Sequence, residues 1–178
     1  MAQPHLLGIV LLVPEPWDAE VDGIRRGLGD EALPRIPPHV TLVPPVHVRD
    51  ELLAEAFDVV HDAARDCPPL ELHLGPVATF APVNPVAYLA VSGAPETLVW
   101  LERLKDDLHT GPLERPADFA FVPHVTVARE LASDRIDAAL VALSDYAIDV
   151  TVERVHVLAW QPDRTWVPVA DAALAGAA

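Results

Sequence analysis

The chain has 178 residues, 51% hydrophobic and 22% charged, enough for one ordinary domain or two small lobes sharing a core. Twelve basic residues against 27 acidic give a net charge of −15, which repels long polyanions and disfavours duplex DNA or long RNA as partners. A single cysteine, Cys67, excludes an intrachain disulfide framework and a cysteine-built zinc site, and reads as an inert packed thiol.

The chain opens with L-L-G-I-V-L-L-V at 6–13. This run lacks a basic leader, runs into Pro14-Glu15-Pro16-Trp17 and is too short to span a bilayer. It reads as a buried strand of a cytoplasmic protein without membrane association. Trp17 to Leu28 carries Val21, Ile24 and Leu28 at helical spacing, acidic residues early and Arg25-Arg26 late, with Gly27, Gly29 and Pro34 marking its end. A short strand at 39–43 is closed by Pro44-Pro45. Asp50 is placed to cap a helix running to about Arg65, and Pro68-Pro69 stops it. Leu70, Leu72 and Leu74 alternate with Glu71 and His73 as a half-buried strand, continuing or bending at Gly75-Pro76 into 77–81. Asn84-Pro85 turns into a strand at Val86–Val91.

The second half repeats the rhythm. Leu98, Leu101, Leu104 and Leu108 give a helix over Ala94–Leu108. A strand follows at His124–Ala128, then a helix capped by Ser133 and running to about Leu143, and one long strand from Ile148 to Trp160. A turn at 161–164 leads into a last strand at Trp166–Val169, and the small-residue tail from Ala172 reads as frayed. No low-complexity linker divides the chain, so a single domain over residues 1–178 is expected. The pattern is α+β with largely antiparallel sheet, and the recurrence of strand, helix and strand suggests two similar lobes.

The chemistry is spelled twice. Pro38-His39-Val40-Thr41-Leu42 and Pro123-His124-Val125-Thr126-Val127 stand 85 positions apart. In a strand, residues i and i+2 share a face, so each motif presents one imidazole and one hydroxyl roughly 6 to 7 Å apart, with the aliphatic residues beneath. Eight histidines and ten serines plus threonines predict about 0.45 chance occurrences of H-x-[ST], so one copy would mean little. Two copies, both after proline and both built on valine, mean more. The plain alternative is a wet strand face.

If the two strands meet, two imidazoles flank one point. One can take a proton from an attacking hydroxyl or water and the other can give one to a leaving oxygen, as in-line displacement at phosphorus requires. His39 and His124 are thus the candidate catalytic pair. Thr41 and Thr126 can donate to non-bridging phosphate oxygens, and Arg129, at the end of the second motif, is the cation best placed to neutralise them. This chemistry calls for no metal and no cofactor.

These residues resemble the two signature motifs of the 2H phosphoesterase superfamily, in its branch of 2′-5′ RNA ligase-like and cyclic phosphodiesterase proteins. Motif spacing, length and element order are similar over nearly the whole chain. The resemblance implies a bilobed fold with pseudo-twofold symmetry, two mainly antiparallel sheets forming a central groove and helices outside. It implies hydrolysis of 2′,3′-cyclic phosphates to 2′-phosphates, with joining or cutting of 2′-5′ linkages in some members. By position it makes His39 and His124 the acid–base pair and Thr41, Thr126 and Arg129 phosphate ligands. The aromatic residue that many relatives carry after the first motif is replaced here by Val43-Pro44-Pro45. With the acidity, this points to a small cyclic nucleotide or an RNA end, bound by a monomer.

The remaining candidates are weaker. His47 and His73 read as solvated, His5, His61 and His109 as surface, and His156 as facing either the groove or solvent. Among aromatic residues, Phe80 and Trp160 stand near strand ends as candidate base contacts. A phosphate-binding module without catalysis, and an acidic protein-interaction domain, are the alternatives from other classes.

Overall fold

The computed structural model describes residues 4–116 and 120–177. Strand β1 (His5–Leu12) leads through helix α1 (Trp17–Leu28) to β2 (His39–Val48), and α2 (Leu53–Asp66) follows. The chain continues through β3 (Leu70–Thr79), β4 (Ala87–Ser92), α3 (Pro95–Leu108), β5 (His124–Ala128) and α4 (Ser133–Ala142). It ends in β6 (Ile148–Val152), β7 (Arg154–Trp160) and β8 (Trp166–Ala173). All eight strands pair antiparallel, in the order β6-β3-β4-β5-β2-β1-β7-β8.

This order has a twofold pattern about the β5–β2 junction. The path β1-α1-β2 in one half matches β4-α3-β5 in the other, and in each the second strand carries His-Val-Thr. β2 and β5 pair through a single register pair, Val40 opposite Val125, so two four-stranded halves become one continuous sheet.

One face of the sheet is the core. Leu7, Ile9, Leu11, Val40, Leu42, Leu89, Val125 and Val127 are buried there with Val21, Val60, Leu101, Leu104 and Ile136 from the helices. Strand alternation then leaves His39, Thr41, His124 and Thr126 on the opposite face. The helices form where apolar residues recur at three- and four-residue spacing. α1 buries Val21 and Arg25 and ends on Gly29, whose φ of 75° lets its N–H reach back to the carbonyls of Arg25 and Arg26.

Several sequence expectations change. β2 runs on through Pro44-Pro45: Ile9 faces Val43 while Leu7 faces Val46, and the bulge puts both prolines at the exposed surface. Ile148 to Trp160 is not one strand. It breaks at Glu153, with β6 pairing to β3 at one edge and β7 pairing to β1 in the other half. The reason is a phase slip, since Ile148, Val150 and Val152 are buried at even positions and Val155 and Val157 at odd ones.

Asp50 and Ser133 do not cap their helices. Asp50 opens a 3-10 turn and its carboxylate meets His5 Nε2 at 2.5 Å, while Ser133 is the first residue of α4, with no side-chain cap. His109 is half-buried, with Nε2 3.0 Å from the carbonyl of Leu42 on β2. The tail is tied down: Ala172 and Leu174 are buried, and Gly176 N–H donates to the carbonyl of Cys67. Ala178 lies outside the described residues. Cys67 is buried, which pushes its thiol up to about 11 and leaves it inert.

Two glycines separate packing from propensity. Gly75 has φ 118°, and a Cβ there would stand 2.1 Å from the carbonyl oxygen of Tyr146, whereas one at Gly23 in α1 would meet nothing within 4 Å. Gly75→Ala is expected to cost about 3 kcal/mol, lowering Tm by roughly 6–12 °C. Gly23→Ala is expected to add about 1 kcal/mol by helix propensity and raise Tm by roughly 2–4 °C. Thermal melts followed by far-UV circular dichroism check both signs.

Candidate active site

The site is built on the β2–β5 junction. Continuing the antiparallel register one residue to each side of Val40–Val125 sets His39 opposite Thr126 and Thr41 opposite His124. Directly opposed residues have Cβ atoms about 4.5–5.5 Å apart, and the diagonal from His39 to His124 is about 7–8 Å. All four side chains are half-buried, neither sealed in nor fully solvated. The two His-Thr pairs of the sequence thus become one quartet in which each histidine lies beside the other motif's threonine.

Backbone carbonyls fix the two imidazoles alike. His39 Nδ1 donates to the carbonyl of Pro37 at 2.7 Å, and His124 Nδ1 to the carbonyl of Val122 at 2.7 Å. A carbonyl only accepts, so the hydrogen sits on Nδ1 and leaves Nε2 of each neutral ring as the nitrogen with a free lone pair. In both motifs the acceptor is two residues upstream, where the proline has bent the chain into the strand.

Burial sets the charge state. His39 is lowered from 6.5 to about 4, first by loss of solvent and then by the nearby charges of Arg129, Arg25 and His124, against the opposing effect of its bond to Pro37. His124 is lowered for the same leading reason, with Arg129 adding to it. Both rings are therefore mainly neutral at neutral pH.

The two ends of the quartet differ in their surroundings. Around His39 and Thr126 lies a pocket of about 10 Å³, lined also by Arg129, Arg25, Asp30 and Ile36. Around His124 stands an aromatic wall: Phe80 stacks on Tyr88 at 4.2 Å, with ring centroids 5.0 and 5.3 Å from that of His124.

Register and the shared pocket bring His39, Thr41, His124, Thr126 and Arg129 together. Phe80 belongs to the site, whereas Trp160 pairs with Trp166 at 5.4 Å near the outer edge at β8. His156 lies on the quartet's face, since Val10 pairs with both Thr41 and His156, but two strands away from Thr41, about 10 Å. His47, His5 and His61 are exposed, and His73 meets Asp149 at 2.8 Å.

Two residues escaped the sequence reading. Tyr88 pairs with Thr126 on β4, and alternation about the buried Leu89 was the available signal. Arg25 is 2% exposed, and its spacing of four from Val21 marked it for the apolar face. Among the described residues no three or more His, Cys, Asp or Glu side chains group as a metal-binding set, and no helix is long and apolar enough to cross a membrane.

Comparison with known proteins agrees with this architecture. The family model of the 2′-5′ RNA ligase superfamily matches residues 13–164. A provisionally named phosphoesterase of Bacillus cytotoxicus is 33% identical over 163 residues, covering 90% of this chain and 91% of its own. The crystal structure of Thermus thermophilus TT0787 superposes with a TM-score of 0.68 at 19% identity, over 97% of this chain and all of its own (100%). Escherichia coli LigT complexed with 3′-AMP superposes with a TM-score of 0.64 at 16% identity, over 97% and 99% of the two chains. The doubled His-Val-Thr strand, its antiparallel sheet and the family match across most of its length together make this chain a member of the 2′-5′ RNA ligase superfamily of 2H phosphoesterases.

Proposed function

We propose that this phosphoesterase-family protein hydrolyses 2′,3′-cyclic phosphates of small nucleotides or RNA ends to 2′-phosphates. The observation that carries the reading is the quartet: two imidazoles with matching tautomers on one diagonal, and two hydroxyls on the other. One neutral Nε2 takes a proton from water as its oxygen bonds to phosphorus. The protonated Nε2 across the site gives its proton to the 3′ oxygen as the P–O3′ bond breaks. The products are a 2′-phosphate and a free 3′-hydroxyl, and the pair has exchanged one proton for one. Thr41 and Thr126 donate to the non-bridging oxygens, and Arg129 balances their charge. The same displacement, with a ribose 5′-hydroxyl attacking in place of water as the P–O3′ bond breaks, covers 2′-5′ joining.

The scale of the substrate follows from charge. A chain of −15 offers no field for a long polyanion, but an anion of one or two charges needs only the local guanidinium groups. The relative LigT is known in complexes with phosphate, 3′-AMP, NADP+ and ATP, all small phosphate compounds. Action by a single-domain cytoplasmic monomer completes the reading.

A 2′,3′-cyclic mononucleotide assay in EDTA tests it. Turnover is expected to persist with chelator, and His39→Ala or His124→Ala to lower kcat about 10²–10⁴-fold. The double variant is expected to lose little more than the worse single one, because the two act as a unit. Binding of a nucleoside monophosphate without turnover of any cyclic phosphate would instead mark a non-catalytic phosphate-binding module.

The pH dependence follows from the same geometry. Catalysis needs one proton on the pair, and both rings titrate below the ordinary 6.5. The kcat/KM profile, which reports the free enzyme, is expected to be a bell centred below pH 6.5. A maximum above pH 7.5 would contradict the two-histidine assignment.

A further inference from the structure

We propose that Arg25 is a further phosphate ligand, whose Nη2 donates to a non-bridging oxygen seated between His39 and Thr126. The inference rests on the reading of the quartet as a phosphate site.

The guanidinium is held from two sides. Nε donates to Asp30 Oδ2 at 2.8 Å, and Nη1 donates to Asp22 Oδ1 at 2.8 Å and to the carbonyl of Ile36 at 2.9 Å. Nη2 has no protein acceptor among the described residues. The polar side-chain atoms sealed without a partner are Tyr146 Oη and His156 Nδ1, so Nη2 is not sealed. Arg25 as a whole is only 2% exposed and lines the pocket shared by His39, Thr126 and Arg129. Nη2 therefore carries two N–H donors that the protein leaves unspent. At about 10 Å³ that pocket has room for about one oxygen atom.

A purely structural role explains only part of this. The bonds from Nε and Nη1 do clamp the end of α1 to the loop before β2, and they fix Ile36 next to Pro37, whose carbonyl orients His39. A clamp needs neither unspent donors nor a place in the pocket that Thr126 and His39 line. Because Asp22 and Asp30 balance its charge, Arg25 contributes direction more than net attraction, which Arg129 supplies.

Calorimetric titration with inorganic phosphate separates the roles. Arg25→Lys keeps the charge but loses the fork, and is expected to bind phosphate at least tenfold more weakly than wild type. Asp22→Asn loosens the clamp without touching Nη2, and is expected to lower Tm while leaving phosphate affinity within threefold. Unchanged affinity in Arg25→Lys, or equal losses in the two variants, overturns the proposal. Should Arg25→Lys not fold, a wild-type crystal soaked in phosphate decides. A phosphate oxygen within about 3.2 Å of Nη2 is expected, and phosphate seated on the quartet with none there overturns it. If wild type binds no phosphate at all, the quartet's own reading falls first. If wild type binds it and only the Arg25 outcomes fail, that reading stands without Arg25.

Discussion

The pairing of Val40 with Val125 is the constraint on which the rest of the molecule depends. A strand has a period of two, so a slip of one residue in either partner would turn its histidine and threonine into the core and its valine out. The buried aliphatic residues on both sides of the junction resist that slip: Val40, Leu42, Val125 and Val127 are each at most 3% exposed. Hydrophobic burial thus sets the register, and the register sets the distance between two imidazoles that lie 85 residues apart in sequence. The helices contribute indirectly, by covering the core face and leaving the opposite face to the quartet.

Local electrostatics then works against the global balance. The chain carries −15, yet two guanidinium groups, Arg25 and Arg129, line the pocket at His39. Beyond about 8 Å salt screens the acidic surface, so the charges felt by a bound anion are those of its immediate neighbours. Arg129 is exposed and free to supply net positive charge, while Arg25 is buried between carboxylates and offers fixed donors. The division suits the proposed phosphate site, where an anion has to be both attracted and oriented.

Much of this was legible in the sequence. The doubled motif, its proline entry and strand parity gave the quartet, and the apolar periodicity gave all four helices and most of the strands. What escaped did so for physical reasons. The bulge in β2 has no local signal beyond Pro44-Pro45, which ordinarily ends a strand, and it survives because the prolines sit on the exposed side. The break at Glu153 was visible as a phase slip between Val152 and Val155, but its destination was not, because pairing with β3 or β1 is a tertiary choice. Arg25 looked like half of a basic pair at a helix end. Only the folded chain brings Asp30 and the Ile36 carbonyl around it.

Two copies of one motif raise a last difficulty, since acid–base chemistry needs two different partners. Identical strands, identical carbonyl contacts and identical tautomers would make His39 and His124 interchangeable. Their surroundings break the tie. Both feel Arg129, but His39 also feels Arg25 and His124, so a charge on His124 discourages one on His39. Loss of solvent and Arg129 thus act on both rings, while Arg25 and His124 weigh on His39 alone. On the proposed reading, the repeat supplies the symmetric geometry that in-line displacement requires. The unequal charged neighbours of the two rings then supply the asymmetry in protonation, without which two equal histidines would both be bases or both be acids.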